Sequence, residues 1–568
     1  MTRVETVDLA TTTATYYAPA TIAPTNSQVI HVAGQAGTTK NGTVPTDYES
    51  QIHLALLNLR KILILSGASV KDILKLTLYI RFLTGNRPAA TLMPVAQLAA
   101  PAWLFEVDAV ALRPVPSVPR SLTGSSSKGD LDVVIVGAGL AGLSAASELQ
   151  RSGLSYIILE ARDRVGGKTW SQTVPRDDAE HGMVDLGAAW MNDMNQSKVY
   201  SLAKRFGAEV LEQNTAGLCV LQDTNEHSTL PPFGISPVSG TWSRQTATLS
   251  TLPALRTEWD AMTFEAYLRS RGASKEALAT AAVWTRAMLG QDPRDISALW
   301  FISYCKAGGD LLQMRSDRKG GGQHLRIRQG MQMISTGLAE TLPQDAIRLS
   351  SPVVSITQEG SSAVELVTAD QKTLRARKTI TTVPSPVLKT IDFSPRLPAS
   401  KQLWAESSSY GYYTKAMMIF RTPFWAEKGY CGLIQSFTGP ASVIGDTSSL
   451  PDKKYILTCF MSSDSGRAWA ALPTEERKTA LVEQSGKLFG AESEAARDFV
   501  ELVTYEWVND PYSGWGCRCI ALTPGVMDAV GGAVREPAVE GYMEGAIESG
   551  ERAAAEVVQG LKTASARL

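Results

Sequence analysis

A glycine-rich loop between a buried strand and a helix is the strongest chemical signal in the sequence. Residues 131–136 read LDVVIV, a short apolar strand, and GAGLAG follows at 137–142 before a helical run. In such a loop Gly137 permits a tight turn, Gly139 lets the backbone approach a pyrophosphate, and Gly142 lets the helix pack on the strand. The free N–H groups and the positive dipole end of the helix N-terminus would then face the phosphates.

A second strand completes this unit and ends on an acid. The run SYIILE ends at Glu160, about 20 residues beyond the loop, where a carboxylate can accept hydrogen bonds from ribose hydroxyls. All five features fit the same kind of unit: the first strand, the loop, the helix, the second strand and the acid. The sequence therefore predicts a Rossmann-type dinucleotide-binding unit.

The residues after Glu160 resemble the flavin amine oxidases, the group of the monoamine and polyamine oxidases. ARDRVGGKT at 161–169 brings a second glycine pair, which in that family runs along the diphosphate of FAD, and NAD enzymes do not need it. Further motifs follow in family order up to about residue 561: VDLGAAWMN, HLRIRQGMQMISTGLAETL, LSSPVVSI and ARKTITTVPSPVL. Lys168 stands where the family usually has Arg, which keeps the charge but loses the fork geometry.

The resemblance implies FAD as cofactor and a set of residues that bind it. They are Gly137, Gly139, Ala141, Gly142, Glu160, Ala161, Arg162, Gly166, Gly167, Lys168, Gly187, Val353, Trp507, Cys517 and Met543. By the same resemblance, Val353 contacts the adenine end through its backbone and Trp507 packs close to the isoalloxazine. The N–H of Met543, at the start of a helix, bonds flavin O2.

The spacing of two cysteines does not decide whether, or through which of them, the flavin is attached covalently. Counting back from Thr523 places Cys517 where covalent family members bond the flavin methyl group. Counting forward from Trp507 leaves one extra residue, so Cys519 is the alternative, and some relatives bind FAD without a covalent bond. Arg518 stands where covalent relatives have a tyrosine of the amine cage, and a cation there would repel a protonated amine unless it points away.

Two further residues are implied to act in catalysis. YGYYTKAMMIF resembles the segment with the family's active-site lysine, which maps to Lys415 and holds a water against flavin N5. A lysine beside a flavin can stabilise the negative charge that builds up on reduction. In GYMEGA, Tyr542 resembles one wall of an aromatic cage that orients the amine by cation–π and stacking contacts.

The N-terminal module reads as strand, helix, strand, strand, an α+β pattern. AGQAG, LSGAS, VKDILKLTLYI and FEVDAVAL, over about residues 15 to 112, resemble the reactive-intermediate deaminase (Rid) family. Rid proteins form trimers and hydrolyse imines, for which an arginine follows Pro-Ala. This chain has Pro88-Ala89-Ala90. We therefore predict a structural or assembly element, through which the chain would form a homo-oligomer.

Two blocks of the family patterns are missing. Arg535-Glu536-Pro537 runs directly into Ala538, without the strand, the Gly-Thr-Glu turn and the tryptophan that precede Gly541 in the amine oxidases. In the Rid-like module, residues 84–86 stand in place of the second helix. A skipped exon or a wrong intron boundary would explain both losses, and degeneration is the alternative.

The predicted fold class is α/β and α+β. A Rid-like module at 1–113 and a linker at 114–130, PVPSVPRSLTGSSSKG with its neighbours, precede an amine oxidase domain at 131–561 and a tail at 562–568. Within that domain a Rossmann-type FAD-binding half is interleaved with a substrate half made of a mixed sheet and helices. The FAD half is expected at about 131–190, 320–385 and 505–561, and the substrate half at about 191–319 and 386–504.

The composition of the chain narrows its possible partners and its expected cellular location. A net charge of -1 over 568 residues gives no electrostatic case for nucleic acid or an acidic membrane surface. Six cysteines do not make a disulfide framework and favour a reducing compartment. No secretory signal, transmembrane anchor or metal site is expected. The last residues, Ala-Arg-Leu, resemble a C-terminal peroxisomal address, so a peroxisomal or cytoplasmic location is expected.

These features together predict an FAD-dependent oxidase of small-molecule amines. The amine becomes an imine, which hydrolyses to aldehyde and ammonia, while O2 is reduced to hydrogen peroxide. An amino-acid or polyamine oxidase on the same fold is one alternative. A flavin-site-damaged pseudoenzyme or assembly subunit is another, because the block before Gly541 is lost.

Overall fold

The architecture is taken from a computed structural model of the chain. It describes residues 5–7, 20–22, 27–81, 93–95, 98–100, 102–114, 131–174, 182–233, 256–359, 363–516, 519–530 and 542–565. These ranges exclude residues 115–130 of the linker, Pro88 to Ala90, Cys517 and Arg518, both junctions with missing blocks, and the last three residues.

In the described residues of the N-terminal module, a four-stranded sheet is covered by a helix, which is the predicted α+β pattern with one further strand, Met93–Val95. The strands of the sheet run in the order Ser27–Ala36, Phe105–Pro114, Ile73–Arg81 and Met93–Val95. The helix Tyr48–Leu65 begins after Asp47, whose carboxylate accepts a hydrogen bond from Ser50 N at 2.8 Å and so caps the first turn. It packs on the sheet through Ala55, Leu59 and Leu63, which are fully buried.

A seven-stranded mixed sheet forms the nucleotide half. Its strands follow the order Ile347–Arg348, Tyr156–Leu159, Leu131–Val136, Thr373–Thr381, Ala363–Thr368, Val353–Glu359 and Asp392–Ser394. Leu131–Val136 is parallel to both neighbours and buried along most of its length. The glycine loop leaves the C-terminal end of this strand, where ligands bind in open α/β sheets.

A second seven-stranded sheet forms the substrate half. Its strands follow the order Ser228–Thr229, Leu218–Gln222, Tyr430–Ser436, Val443–Asp446, Tyr455–Ser462, Tyr413–Phe420 and Phe499–Tyr505. Every residue of Tyr413–Phe420 is buried, because each face of the strand packs in an apolar cluster. Ala416, Met418 and Phe420 lie in one cluster, and Met417 and Ile419 lie in the other.

Four short strand pairs are also present in the described residues. They are Glu5–Val7 with Ala20–Ile22, Ser171–Val174 with Gly182–Asp185, Val210–Glu212 with Leu325–Ile327, and Ser408–Ser409 with Ala521–Leu522.

Helices pack around both large sheets. Those of at least seven residues are Leu140–Arg151, Ser197–Arg205, Phe264–Ser270, Lys275–Leu289, Ala298–Ala307, Gln332–Glu340, Ala399–Ser407, Ser463–Ala470, Thr474–Phe489, Glu492–Asp498 and Met543–Ser565. Shorter ones are Arg256–Asp260, Leu311–Met314, Ser385–Leu388, Phe424–Glu427 and Val526–Val530. In the part of the chain described, none is both long enough and apolar enough to cross a membrane.

The N-terminal module docks on the rest of the chain through the second face of its helix. Leu57 and Ile64 are buried in the same apolar cluster as Trp300, Phe301 and Val526 of the C-terminal part. Ser50 Oγ accepts a hydrogen bond from Thr263 N at 2.9 Å, and Arg60 donates one to Ser407 Oγ at 2.9 Å. The module is therefore packed into the core beside it, through apolar contacts and hydrogen bonds.

Replacing Leu57 with alanine tests this docking. Leu57 is 1% exposed, and removing a buried leucine side chain costs about 2–5 kcal/mol. We expect the free energy of unfolding, measured by urea denaturation, to fall by that amount. Leu65→Ala is the matched control, because Leu65 lies on the same helix and is 78% exposed. Equal effects of the two substitutions would contradict the docking.

Candidate active site

The structure brings most of the predicted site residues together around one cavity. Its volume is about 490 Å3, within the range of roughly 300–1,000 Å3 typical of ligand pockets. The predicted residues that line it are Gly137, Gly139, Ala141, Glu160, Ala161, Arg162, Gly166, Gly167, Lys168, Gly187, Val353, Lys415, Trp507, Tyr542 and Met543. Gly142 lies directly behind the glycine loop, outside the lining. Segments of both large sheets contribute to this cavity.

The backbone conformation and the close packing of the glycine loop are those that its sequence predicts. Gly137 has a φ of 106°, a left-handed value that favours glycine. A Cβ placed on Gly142 would lie 1.9 Å from the carbonyl oxygen of Gly137. The helix Leu140–Arg151 can therefore approach the strand so closely only because residue 142 has no side chain.

Glu160 lies at the base of this loop and is 4% exposed. Its two carboxylate oxygens accept hydrogen bonds from Ala138 N at 2.7 Å and from Arg162 N at 2.9 Å. Each carboxylate oxygen has a second lone pair. The carboxylate is thus fixed by the backbone and keeps acceptor capacity on the side of the cavity.

Arg162 is held by an aspartate that the sequence reasoning missed. Its guanidinium donates a hydrogen bond to Asp510 Oδ2 at 2.6 Å, and Tyr505 Oη donates one at 2.9 Å. Burial alone would raise the pKa of Asp510, but the bonds from Arg162 and Tyr505 hold the pKa below its usual range. Asp510 also accepts backbone N–H groups of the next turn, so it ties Arg162 to the segment that follows Trp507.

The second glycine pair packs against the first loop. Gly166 N donates to the carbonyl oxygen of Ala138 at 2.8 Å, and the Cα of Gly139 faces the Cα of Gly167. The ammonium of Lys168 lies 3.7 Å from the centroid of the Tyr410 ring. A phosphate chain would therefore meet backbone from two loops and a nearby positive charge.

Gly187 and Trp507 lie next to each other at the far side of the second loop. A Cβ on Gly187 would lie 1.9 Å from the carbonyl oxygen of Lys168 and 3.4 Å from the Trp507 ring. The indole of Trp507 is 1% exposed and donates to the carbonyl oxygen of Leu186 at 2.9 Å. This hydrogen bond fixes one orientation of the ring.

Lys415 points from its strand into the cavity and is 5% exposed. Its ammonium donates to the carbonyl oxygens of Asp185, at 2.5 Å, and Gly187, at 3.2 Å. Burial raises the pKa of the Asp185 carboxyl, although the nearby charge of Lys415 opposes that rise. The lysine is therefore held by two backbone carbonyl dipoles at the cavity wall.

Three aromatic side chains lie near Lys415, and none of them is among the predicted site residues. Its Nζ lies 5.1 Å from the centroid of the Trp190 ring, and the Phe460 centroid is 5.9 Å from Trp190 and 5.6 Å from Tyr413. Tyr413 could have been found, because residues two apart on a strand share a face. Phe460 could not, since it reaches Lys415 only through the pairing of two distant strands.

The C-terminal helix Met543–Ser565 begins at the cavity, where Tyr542 and Met543 line it. A Cβ on Gly550 would lie 2.1 Å from the carbonyl oxygen of Ala141, so this helix packs directly on the glycine-loop helix. Glu544 accepts hydrogen bonds from the backbone of Lys198 and Val199. Tyr542 and Met543 reach the cavity even though the family's preceding block is missing from the chain.

Comparisons with known proteins identify the same kind of protein as the geometry of the cavity does. Residues 140–558 match the family model for flavin containing amine oxidoreductases. The chain belongs to this family of flavin amine oxidases. A flavin-containing amine oxidase from Oncorhynchus mykiss is 30% identical over 76% of this chain and 87% of that protein, and one from Danio rerio is 30% identical over 75% and 85%. The predictions of an FAD-dependent oxidoreductase and of its cofactor are confirmed.

Solved structures of other oxidases share the fold of this one. Cyclohexylamine oxidase from Brevibacterium oxydans has a TM-score of 0.68 and 25% identity, over 76% of this chain and 100% of that one. Putrescine oxidase bound to putrescine has a TM-score of 0.67 and 25% identity, over 76% and 99%. Residues 9–113 match the family model named Endoribonuclease L-PSP, to which Rid proteins belong. The predicted fold class and the Rid-like module are both confirmed.

The residues of this oxidase fit FAD. Two glycine loops leave backbone exposed to the cavity, Glu160 keeps acceptor capacity beside them, and the N-terminus of Leu140–Arg151 points at the same place. Of the two cysteines considered for covalent attachment, Cys519 is 4% exposed and packs in the apolar cluster with Leu522, outside the cavity lining. Cys517 lies outside the described residues, so covalent attachment there stays a prediction.

Proposed function

We propose that this oxidase acts on a primary monoamine with an apolar substituent. One amine, one O2 and one water would become one aldehyde, one ammonia and one hydrogen peroxide, by way of an imine that water hydrolyses; an amine on a secondary carbon would give a ketone in place of the aldehyde. The observation that supports a monoamine is the group of aromatic side chains near Lys415, which are Trp190, Tyr413 and Phe460. An apolar substituent buried there would gain hydrophobic and ring-stacking contacts.

The charges of the described cavity lining also favour a monoamine. Its one carboxylate is Glu160, which accepts hydrogen bonds from Ala138 N of the glycine loop and from Arg162 N. A diamine would bring a second ammonium into the cavity, and burying an unpaired charge is costly. An amino acid would bring a carboxylate, and the cations of the described lining are already engaged. Arg162 pairs with Asp510. Lys415 donates to two backbone carbonyl oxygens, and Lys168 lies over the Tyr410 ring beside the second glycine loop.

Each residue has a distinct part in the proposed reaction. Bound FAD supplies the oxidation, by taking a hydride from the carbon beside the amine nitrogen and passing electrons to O2. Lys415 provides positive charge at the place where negative charge develops. The ring of Tyr542 holds the amine group by stacking and cation–π contact, and the hydrogen-bonded indole of Trp507 keeps that part of the cavity rigid.

A peroxide-coupled assay over three substrate classes tests this proposal. We expect kcat/KM for cyclohexylamine and phenylethylamine to exceed that for putrescine by about 100-fold, a difference of about 2.7 kcal/mol. Amino acids should give no measurable turnover. Putrescine is the informative competitor, since a putrescine oxidase shares the fold. A preference for putrescine would replace the monoamine reading with diamine oxidation.

We also propose that the Rid-like module acts as a structural and assembly element. Its helix is used in docking, whereas Val29 lies on the sheet face away from that helix and is 57% exposed. An exposed apolar side chain on this uncovered face would suit contact with a second copy of the chain. Light scattering after size exclusion tests this: a homo-oligomer that Val29→Lys dissociates supports the proposal, and a monomeric parent protein contradicts it.

A peroxisomal location remains a proposal supported by the tail Ala566-Arg567-Leu568 and by the proposed release of peroxide. A fluorescent protein fused to the N-terminus should co-localise with catalase. Deleting the last three residues should disperse it through the cytoplasm. Diffuse fluorescence of the full-length fusion would contradict the proposal.

A further inference from the structure

Two buried cysteines face each other in the substrate half. Cys219 lies on the strand Leu218–Gln222 and Cys431 on the strand Tyr430–Ser436. These strands are parallel neighbours, and Leu218 is aligned with Tyr430, so each cysteine is the next residue of its strand. Their Sγ atoms are 3.6 Å apart, and the residues are 4% and 1% exposed.

The pair has its own small apolar environment. Cys219 and Cys431 form a cluster with Phe233, against which Leu433 packs. Arg318 donates a hydrogen bond to the carbonyl oxygen of Phe233 at 2.6 Å and lies 5.6 Å from its ring. None of these residues lines the cavity that contains Lys415, so the pair is separate from the amine site.

The local backbone suits a bond between the two sulfurs. The register shifts between Leu218 and Val220, where one residue on one strand faces three on the other. Such a bulge adjusts the local twist of a strand. A disulfide needs the sulfurs about 2.05 Å apart. The two sulfurs, which are 3.6 Å apart, must therefore approach by about 1.5 Å for the bond to form.

We propose that Cys219 and Cys431 are an oxidation site that hydrogen peroxide converts to a disulfide. The oxidant within the cell would be the product of the proposed amine oxidation, and to that extent the inference rests on the proposed function. The site itself rests on the geometry of the pair.

The chemistry balances in two steps. The Cys431 thiolate attacks one peroxide oxygen, the O–O bond breaks, and a sulfenic acid forms as hydroxide leaves. The sulfur of Cys219 then attacks the Cys431 sulfur, the S–O bond breaks, and the oxygen leaves as water. The two thiols lose two electrons and two protons, and peroxide is reduced to two waters.

The hydrogen bond between the thiols favours this order of attack. It lowers the pKa of Cys431, although burial opposes that effect, and it raises the pKa of Cys219, where burial adds to the rise. Cys431 is therefore the better nucleophile toward peroxide. The sulfur of Cys219, 3.6 Å away, is already placed to resolve the sulfenic acid.

Peptide mapping of the full-length protein tests the inference. The protein is treated with hydrogen peroxide, denatured, alkylated without reductant and digested. We expect a cross-linked peptide pair that contains residues 219 and 431, lighter by two hydrogen atoms than the separate peptides and released by dithiothreitol. Added peroxide replaces the enzyme's own product, so the result does not depend on whether the chain oxidises amines.

Variants at other buried cysteines provide the matched control. Cys305→Ala and Cys459→Ala should still form the cross-link, because neither residue lies in the Cys219 cluster. Cys219→Ser should abolish it and leave Cys431 to oxidise further to a sulfinic acid. The inference is overturned if both cysteines of the parent protein stay alkylatable after peroxide, or if Cys431 reaches the sulfinic acid there without cross-linking.

Discussion

Gly142→Ala is expected to give a protein that purifies without its flavin. The added Cβ would lie 1.9 Å from the carbonyl oxygen of Gly137 and 3.2 Å from Thr382 Oγ1. The obstacle is backbone, so the loop or the helix must move. Overpacking of this kind costs about 3 kcal/mol, and if that cost falls on the flavin-binding conformation the dissociation constant of FAD rises about 100-fold.

The flavin content per polypeptide, measured from the absorbance of the purified protein, checks this expectation. Gly560→Ala is the matched control, because Gly560 is also helical and a Cβ there meets nothing within 4 Å. That variant should keep its flavin and gain up to about 1 kcal/mol of helix stability. A Gly142→Ala protein with full flavin content would show that the loop does not form the flavin site.

Lys415→Met is expected to lower kcat/KM for the amine by about 100- to 1,000-fold, the size of effect seen when one preorganised charge-stabilising group is removed. Methionine fills a similar volume but carries no charge for the carbonyl oxygens of Asp185 and Gly187. Flavin should stay bound, because the two glycine loops and Glu160 are untouched.

Stopped-flow measurements separate the two halves of this reaction. Anaerobic mixing with amine reports reduction of the flavin, and mixing of the reduced enzyme with O2 reports reoxidation. At least one of the two rates should fall by the stated factor. Lys372→Met is the control, since the Lys372 side chain is 74% exposed and pairs with Asp370 on the surface. If both rates of Lys415→Met match those of the parent protein, Lys415 has no catalytic part.

Local sequence was enough to predict the glycine loop and the acid beside it. The turn at Gly137, the close approach at Gly142 and the position of Glu160 follow from sterics within one βαβ unit. The positions of Lys415, Trp507 and Tyr542 required the family resemblance. Nothing in their own neighbourhoods indicates that the chain brings them to one cavity.

Contacts made by distant segments could not be predicted. Asp510 meets Arg162 only through tertiary packing, and Phe460 meets Lys415 only through strand pairing. In the N-terminal helix, the spacing indicates one apolar face toward its own sheet. The burial of Leu57 against the C-terminal part depends on a surface that the helix sequence does not encode.

Because the block before Gly541 is missing, the main alternative to an active oxidase is a protein with a damaged flavin site and no activity. In the structure the chain nevertheless brings Tyr542 and Met543 to the cavity, and the close contact of Gly550 with Ala141 holds their helix against the glycine-loop helix. These contacts lie C-terminal to the missing block and do not need it. They favour a flavin site that is still able to bind its cofactor.

The most direct test of the central claim is the absorption spectrum of the purified full-length protein during anaerobic titration with a monoamine. We expect flavin bands in the near ultraviolet and blue that bleach as amine is added. The bands should return on admission of O2, with release of hydrogen peroxide. A protein that shows no flavin bands after incubation with FAD, or whose bound flavin no amine can bleach, would contradict it.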